Sequence, residues 1–242
     1  MNKYLLKILI GILIYPYYSF SQIYLEEINF NGGITKEINK YIHTPSSLKE
    51  FNNKFIIGPY IGINARFNYN RISSSIGLSM PSIGYKGRLN GGGWEHTTKH
   101  FMYLGLGFTV DYKLILKKKS HVYAGLGLIR LPRVSFGTLN ATGSSSQSEI
   151  TSNFRTYSYN NRGYILTLQS SYSKKLYGKM NINFGVQGGL GFSKLFATNY
   201  TYYLSKQDFI NKNGHSHILE TKGDFIAMYI GIQYYINKKI IK

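Results

Sequence analysis

The sequence predicts an all-β chain, an eight-stranded antiparallel up-and-down transmembrane β-barrel. Three observations predict it. Apolar residues alternate with small or polar ones in eight separate segments, the connections between them alternate between short and long, and the 242 residues are 16% aromatic but only 16% charged. Soluble domains carry roughly 25% charged residues, so part of this surface meets something other than water. With 23 Tyr and 14 Phe the chain is not a disordered one, and with no cysteine it holds neither a disulfide nor a cysteine-ligated zinc.

Residues 1–21 are expected to be a signal peptide. Lys3 and Lys7 flank the start of an apolar run from Ile8 to Tyr18, and Ser19-Phe20-Ser21 supplies small residues before cleavage at Gln22. The run is shorter than the roughly 20 apolar residues of a spanning helix, and no cysteine follows the cleavage point, as a lipoprotein requires. Residues 22–242 then form one barrel domain, and loss of Lys3 and Lys7 lowers the formal charge from +19 to +17.

The first strand, Ile28 to Ile34, sets Ile28, Phe30 and Ile34 against Asn29, Asn31 and Gly33. The second sets Ile57, Ile61, Ile63 and Phe67 against Gly58, Tyr60, Gly62, Asn64 and Arg66, and the third sets Ile72, Ile76, Leu78 and Met80 against Ser73, Ser75, Gly77 and Ser79. The fourth is the clearest: Met102, Leu104, Leu106, Phe108, Val110 and Tyr112 oppose Phe101, Tyr103, Gly105, Gly107, Thr109 and Asp111. In the fifth, Val122, Ala124, Leu126 and Leu128 oppose Tyr123, Gly125 and Gly127; in the sixth, Tyr164, Leu166, Leu168 and Tyr172 oppose Thr167, Gln169 and Ser171. The seventh runs from Asn181 to Ser193, with Ile182, Phe184, Val186, Gly188, Leu190 and Phe192 on one side, and the eighth carries Ile226, Met228, Ile230, Ile232, Tyr234 and Ile236. Short turns near 68–70, 116–120 and 174–179 lie at one end of the strands, and long links near 36–54, 86–99, 137–161 and 197–223 at the other.

Volume decides which face is inside. An eight-stranded interior is just wide enough for packed side chains or one small ligand, and five or six Ile, Leu, Phe or Met per strand do not fit there. The apolar face therefore looks out into lipid, and strands of about 9–11 residues span the bilayer. Tyr60, Tyr103, Tyr123, Tyr229 and Tyr235 are expected to fill the lumen and leave no wide pore. Tyr112, Tyr164, Tyr172 and Tyr234 are expected at the membrane interfaces.

The signal segment, the eight alternating strands and the aromatic-ended final strand Met228-Tyr229-Ile230-Gly231-Ile232-Gln233-Tyr234-Tyr235-Ile236 resemble the small outer-membrane β-barrel proteins of the OmpA/OmpX type from Gram-negative bacteria. The resemblance implies residence in the cell outer membrane, insertion guided by that last strand, and porin-like architecture. The chain departs from it in continuing through Asn237-Lys238-Lys239-Ile240-Ile241-Lys242.

Charge is concentrated at one end. Lys117, Lys118, Lys119, Lys174, Lys175, Lys179, Lys238, Lys239 and Lys242 gather at the short turns and the C-terminus with no acidic residue among them, whereas the long links mix basic residues with Glu37, Glu50, Glu95, Glu149, Asp208 and Glu220. Snorkelling lysines around an apolar belt explain the cluster; attraction to anionic headgroups or an acidic periplasmic partner is the functional alternative. The expected partners are outer-membrane lipid and an extracellular or periplasmic protein, with no nucleic acid because the charge is split between two rims. A monomer is expected.

No catalytic, cofactor-binding or metal residue is assigned. His215 and His217, with His96 and His100 in another link, lack a third ligand. Ser120 and His121 are adjacent and so fall on opposite faces of a strand, and the serine-rich stretch 142–148 has no base. Gly105-x-Gly107, Gly125-x-Gly127 and Gly189-x-Gly191 lie inside strands with no helix after them, which fits packing and not a nucleotide. Asn140-Ala141-Thr142 and Asn199-Tyr200-Thr201 match an acceptor pattern without meaning in a bacterium, and Trp94 is an exposed anchor or a loop-packing residue. The function expected is that of a non-enzymatic integral barrel acting in membrane integrity, adhesion or surface interaction, with an accessory role in secretion or assembly as the alternative.

Overall fold

A computed structural model of the protein describes residues 24–38, 40–43, 51–54, 57–69, 71–83, 86–89, 95–97, 101–117, 120–133, 139–144, 151–159, 161–203, 207 and 210–236. The expected signal segment, Trp94, His100, Lys118, Lys119 and the C-terminal lysines lie outside the described residues.

Eight strands form the barrel: β1 (Tyr24–Glu37), β2 (Ile57–Tyr69), β3 (Ile72–Ile83), β4 (Gly105–Lys117), β5 (Ser120–Arg133), β6 (Arg162–Tyr177), β7 (Met180–Gly191) and β8 (Phe225–Tyr235). Each pairs antiparallel with its sequence neighbours, β8 pairs with β1, and the sheet closes without an edge. Closure is what the hydrocarbon demands, since every backbone N–H and C=O left without a partner there costs several kcal/mol. The seam is extended by Ile236 N donating to Glu26 O at 2.8 Å.

The faces are those the alternation predicts, and they are inverted relative to a soluble protein. Leu126, Leu168, Leu190 and Met228 are more than half exposed, while Glu27, Asp111, Thr167, Ser173 and Gln233 are buried. Tyr112, Tyr164, Tyr172 and Tyr234 all face outward. Tyr164 and Tyr172 stand eight residues apart on β6, roughly 26 Å along the strand at about 3.3 Å per residue, or about 20 Å in height at a tilt of about 40°, most of the apolar band of about 25 Å that such barrels carry.

Two irregularities re-aim side chains. In β1 the register against β2 shifts between Leu25 and Glu27, and in β4 Lys113 pairs with Tyr123 while Ile115 pairs with Val122, leaving Leu114 as an extra residue. The second bulge turns both Leu114 and Ile115 outward while Lys113 stays buried. At the short-turn end the β6–β7 hairpin closes on Gly178, whose φ of +53° is one that side-chain-bearing residues rarely adopt.

The described residues of the long links add further strands. Leu139–Ser144, Thr151–Ser158, Phe196–Tyr203, His215–Thr221 and Lys40–His43 form a five-stranded sheet in that order, the same order as the barrel strands β5, β6, β7, β8 and β1 that lie next to them in sequence. Phe51–Lys54, Lys86–Leu89 and Glu95–Thr97 form a three-stranded sheet, again in the order of the neighbouring β2, β3 and β4. The larger sheet is tied to the barrel by Tyr159 N to Leu195 O at 3.0 Å, Leu195 N to Thr221 O at 2.9 Å and Ile38 N to Asp224 O at 2.8 Å.

If the outer face is solvated by lipid, Leu168→Arg, at the middle of β6, lowers folding stability by about 2–4 kcal/mol. Urea titration of the protein refolded in phosphatidylcholine vesicles, followed by heat-modifiable gel migration, measures the difference.

Candidate functional site

The barrel interior brings charged side chains of several strands together across the fold. Parity puts Thr109, Asp111 and Lys113 on the inner face of β4 and Arg66 and Asn68 on that of β2. The bulge in β1 lets two successive carboxylates take part. Glu27 Oε1 accepts from Arg66 Nη1 at 2.8 Å, and Glu26 Oε2 lies 3.7 Å from Lys113 Nζ. Arg66 Nη2 also reaches Asp111 Oδ2 at 3.3 Å, so one buried guanidinium bridges strands β1 and β4. Gln169 Nε2 donates to Asp111 Oδ1 at 2.7 Å, and the Tyr123 ring lies 4.5 Å beneath the Arg66 guanidinium carbon.

Around this cluster runs a belt of neutral hydrogen bonds. Asn29 Nδ2 donates to Asn64 Oδ1 at 2.8 Å, Asn181 Nδ2 donates to Ser173 Oγ at 3.0 Å and to Tyr235 Oη at 3.1 Å, and Ser173 donates to Gln233. One level higher, Tyr60 Oη donates to Gln187 Oε1 at 3.0 Å and its ring stacks on Tyr229 with centroids 5.7 Å apart. Gly185 makes room for Tyr229, since a methyl group there would collide with the phenol ring. Between the two levels lies a cavity of about 40 Å³ lined by Asn31, Asn64, Arg66, Thr109, Gln169 and Asn183, a size that suits two or three water molecules at about 10–15 Å³ each. Arg66 Nε and Asn183 Oδ1 are buried without a protein hydrogen-bond partner.

Above the tyrosines the interior becomes apolar. Ile129, Leu131, Ile165, Leu195, Phe196, Phe225 and Ala227 pack into a core that seals the loop end of the lumen. A polar clasp sits over it: Tyr159 Oη donates to Glu220 Oε1 at 2.5 Å, Lys194 Nζ lies 2.8 Å from the same oxygen, and Thr221 donates to Glu37. Burial first, and then the hydrogen bond to the Glu220 carboxylate, hold the Tyr159 phenol above its ordinary pKa.

Of the lumen tyrosines expected from sequence, Tyr60 and Tyr123 are buried, Tyr103 and Tyr229 pack against the apolar core, and Tyr235 joins the hydrogen-bond belt. Arg66 and Asp111, placed inside by parity alone, prove to be partners. Glu26, Glu27 and Lys113 were missed because they lie beyond the regular alternation, next to the bulges. His215 and His217 fall on one strand opposite Tyr202 and Tyr200. Among the described residues no group of three His, Asp or Glu is placed to hold a metal ion. The His121 ring meets Tyr123 edge-on at 6.2 Å.

No family model matches the sequence, and no curated protein matches it. Solved structures do align. The outer membrane protein AlkL, determined by solid-state NMR in DMPC bilayers, matches over 90% of this chain and 93% of its own at 14% identity, with a TM-score of 0.46. The Escherichia coli outer membrane protein W matches over 88% and 98% at 9% identity and 0.39, and the outer membrane protease OmpT of Escherichia coli over 89% and 97% at 11% identity and 0.28.

A closed antiparallel eight-stranded barrel with an apolar girdle, a polar interior and short turns at one end is the architecture of a small outer-membrane β-barrel. Its place is the outer membrane, where closed barrels of this kind are the spanning structures.

Removing Arg66 leaves Glu27 and Asp111 buried without their shared cation. Arg66→Met is expected to destabilise the barrel by about 3–5 kcal/mol, and combining it with Glu27→Gln and Asp111→Asn to recover most of that loss; the same urea titration in vesicles reads both.

Proposed function

We propose that the protein is a non-enzymatic outer-membrane barrel whose long-loop end is an interaction surface serving membrane integrity or adhesion. The observation that carries this reading is the contrast between the two parts of the molecule. Among the described residues the lumen is occupied by an ion-pair network, a tyrosine stack and an apolar core, and the cavity left between them has room for a few waters but not for a substrate. Beyond the belt, in contrast, five strands rise as an ordered sheet. Ordering a residue costs roughly 1–2 kcal/mol of backbone entropy, and a raised wall held by the Tyr159, Glu220 and Lys194 clasp displays a fixed surface.

Replacing residues 139–158 by a short turn is expected to leave heat-modifiable migration intact and to remove the surface proteins captured by crosslinking in intact cells. Planar-bilayer recording of the unaltered protein is expected to show no conductance steps. Capture that is unaffected by the replacement contradicts the reading.

The second reading is docking of a periplasmic partner at the short-turn rim. Lys174, Lys175 and Lys179 are exposed on the β6–β7 hairpin, and Tyr177 at its tip is 87% exposed. Exchanging Lys117 to Lys119, Lys174 and Lys175 for Gln then abolishes co-purification of the partner from a folded barrel; an unchanged partner excludes it.

A further inference from the structure

The outward face of β5 and β6 changes abruptly at the loop end of the belt. On β5, Leu126 and Leu128 are followed by Arg130, and on β6, Leu168, Leu166 and Tyr164 are followed by Arg162. Ile129 and Ile165 are directly paired and both fully inward, so Arg130 and its partner Tyr164 stand on the outer side. One step further from the membrane, Arg133 is paired with Arg162 across the strands. All three arginines are exposed. Among the described residues none of them has a carboxylate within 4.0 Å.

An anion held between these guanidinium groups would relieve their mutual repulsion. Arg133 and Arg162 are partners just past a register shift between Arg130 and Arg133, and like charges at paired positions of antiparallel strands are destabilising. Position also matters. An arginine on the lipid face costs about 2–4 kcal/mol at the midplane but about 0–1 near the interface, which places Arg130 at headgroup level, beside an interfacial tyrosine. Directly below it the surface is the Leu128 and Leu166 pair, open to acyl chains.

We propose that Arg130, Arg133 and Arg162 form a binding site for the phosphate groups of a lipid in the leaflet that meets the long loops, a phosphorylated glycolipid in an outer membrane. The guanidinium fork matches a phosphate with two parallel charge-assisted hydrogen bonds, and one phosphate shared by Arg133 and Arg162 turns their repulsion into a bridge. The acyl chains then lie along the leucines below. The site is separate from the lysine-rich rim, which is at the other end of the strands, and depends only on the barrel architecture.

The test uses the folded mature chain in detergent micelles, titrated with bisphosphorylated lipid A and read by native mass spectrometry. Exchange of all three arginines for Gln is expected to weaken lipid retention by at least about tenfold, the equivalent of one charge-assisted hydrogen bond, while exchange of Lys174, Lys175 and Lys179 for Gln leaves it unchanged. Lipid A stripped of its phosphates is expected to bind the unaltered chain as weakly as the intact lipid binds the triple variant. Heat-modifiable migration verifies folding, and Arg133→Gln alone is read in the same way should the triple variant not fold. Equal retention by the unaltered and altered chains overturns the proposal. Displacement of the lipid by equimolar pyrophosphate overturns the assignment to a lipid in favour of a free-phosphate site.

Discussion

The whole structure depends on the absence of water from the bilayer interior. A strand in hydrocarbon has to find a partner for every backbone group, and eight strands do so only by closing on themselves, with β1 returning to β8. Closure divides the side chains into two solvents. One half of each strand is dissolved in lipid and carries Ile, Leu, Phe and Met; the other half is enclosed in a space too narrow for bulk water and has to be filled by what the sheet itself supplies. The low overall charge of the chain follows from the first half, and the buried charges from the second.

Filling the lumen with ions is tolerated because they meet in one network. Arg66 stands between Glu27 and Asp111 and over Tyr123, while Lys113 stays within reach of Glu26. Replacing such a network by apolar groups often leaves stability unchanged or raises it, so the cluster is better understood as fixing which strands face each other. It ties β1 and β2 to β4 across the interior, where the strand ladder alone carries no such information. The apolar core at the loop end does the complementary work of excluding solvent and anchoring the sheet above it.

Much of this was legible in the sequence. Phe101 to Tyr112 alternates without a fault, and the period-two rule placed Arg66 and Asp111 inside and Tyr164 and Tyr172 outside. The rule failed where it was locally broken. Glu26 and Glu27 both take part in the ion network because β1 is irregular beside them, and Lys113 escapes the strand pattern because the bulge at Leu114 follows it. Ile129, Ile165 and Phe225 are apolar but inward, since towards the loop end the interior is filled by an apolar core and no longer by the ion network. The raised strands were invisible as well: Thr151–Ser158 and Phe196–Tyr203 have no lipid to face, so their sequences carry no alternation. The Arg133 and Arg162 pair could not be read either, because it exists only in the register between two strands.

The central claim is that one face of each strand is dissolved in lipid and the other sealed inside. The chain contains no cysteine, so single cysteines introduced at successive positions from Tyr164 to Tyr172 of β6 report each site alone. Spin labels attached there, in protein refolded into vesicles, should show collision with molecular oxygen that oscillates with period two. Maxima are expected at Tyr164, Leu166, Leu168, Ser170 and Tyr172, with low exposure to both oxygen and a water-soluble relaxer at Ile165, Thr167, Gln169 and Ser171. Loss of the alternation, or a water-soluble relaxer reaching the leucine positions, would contradict the account.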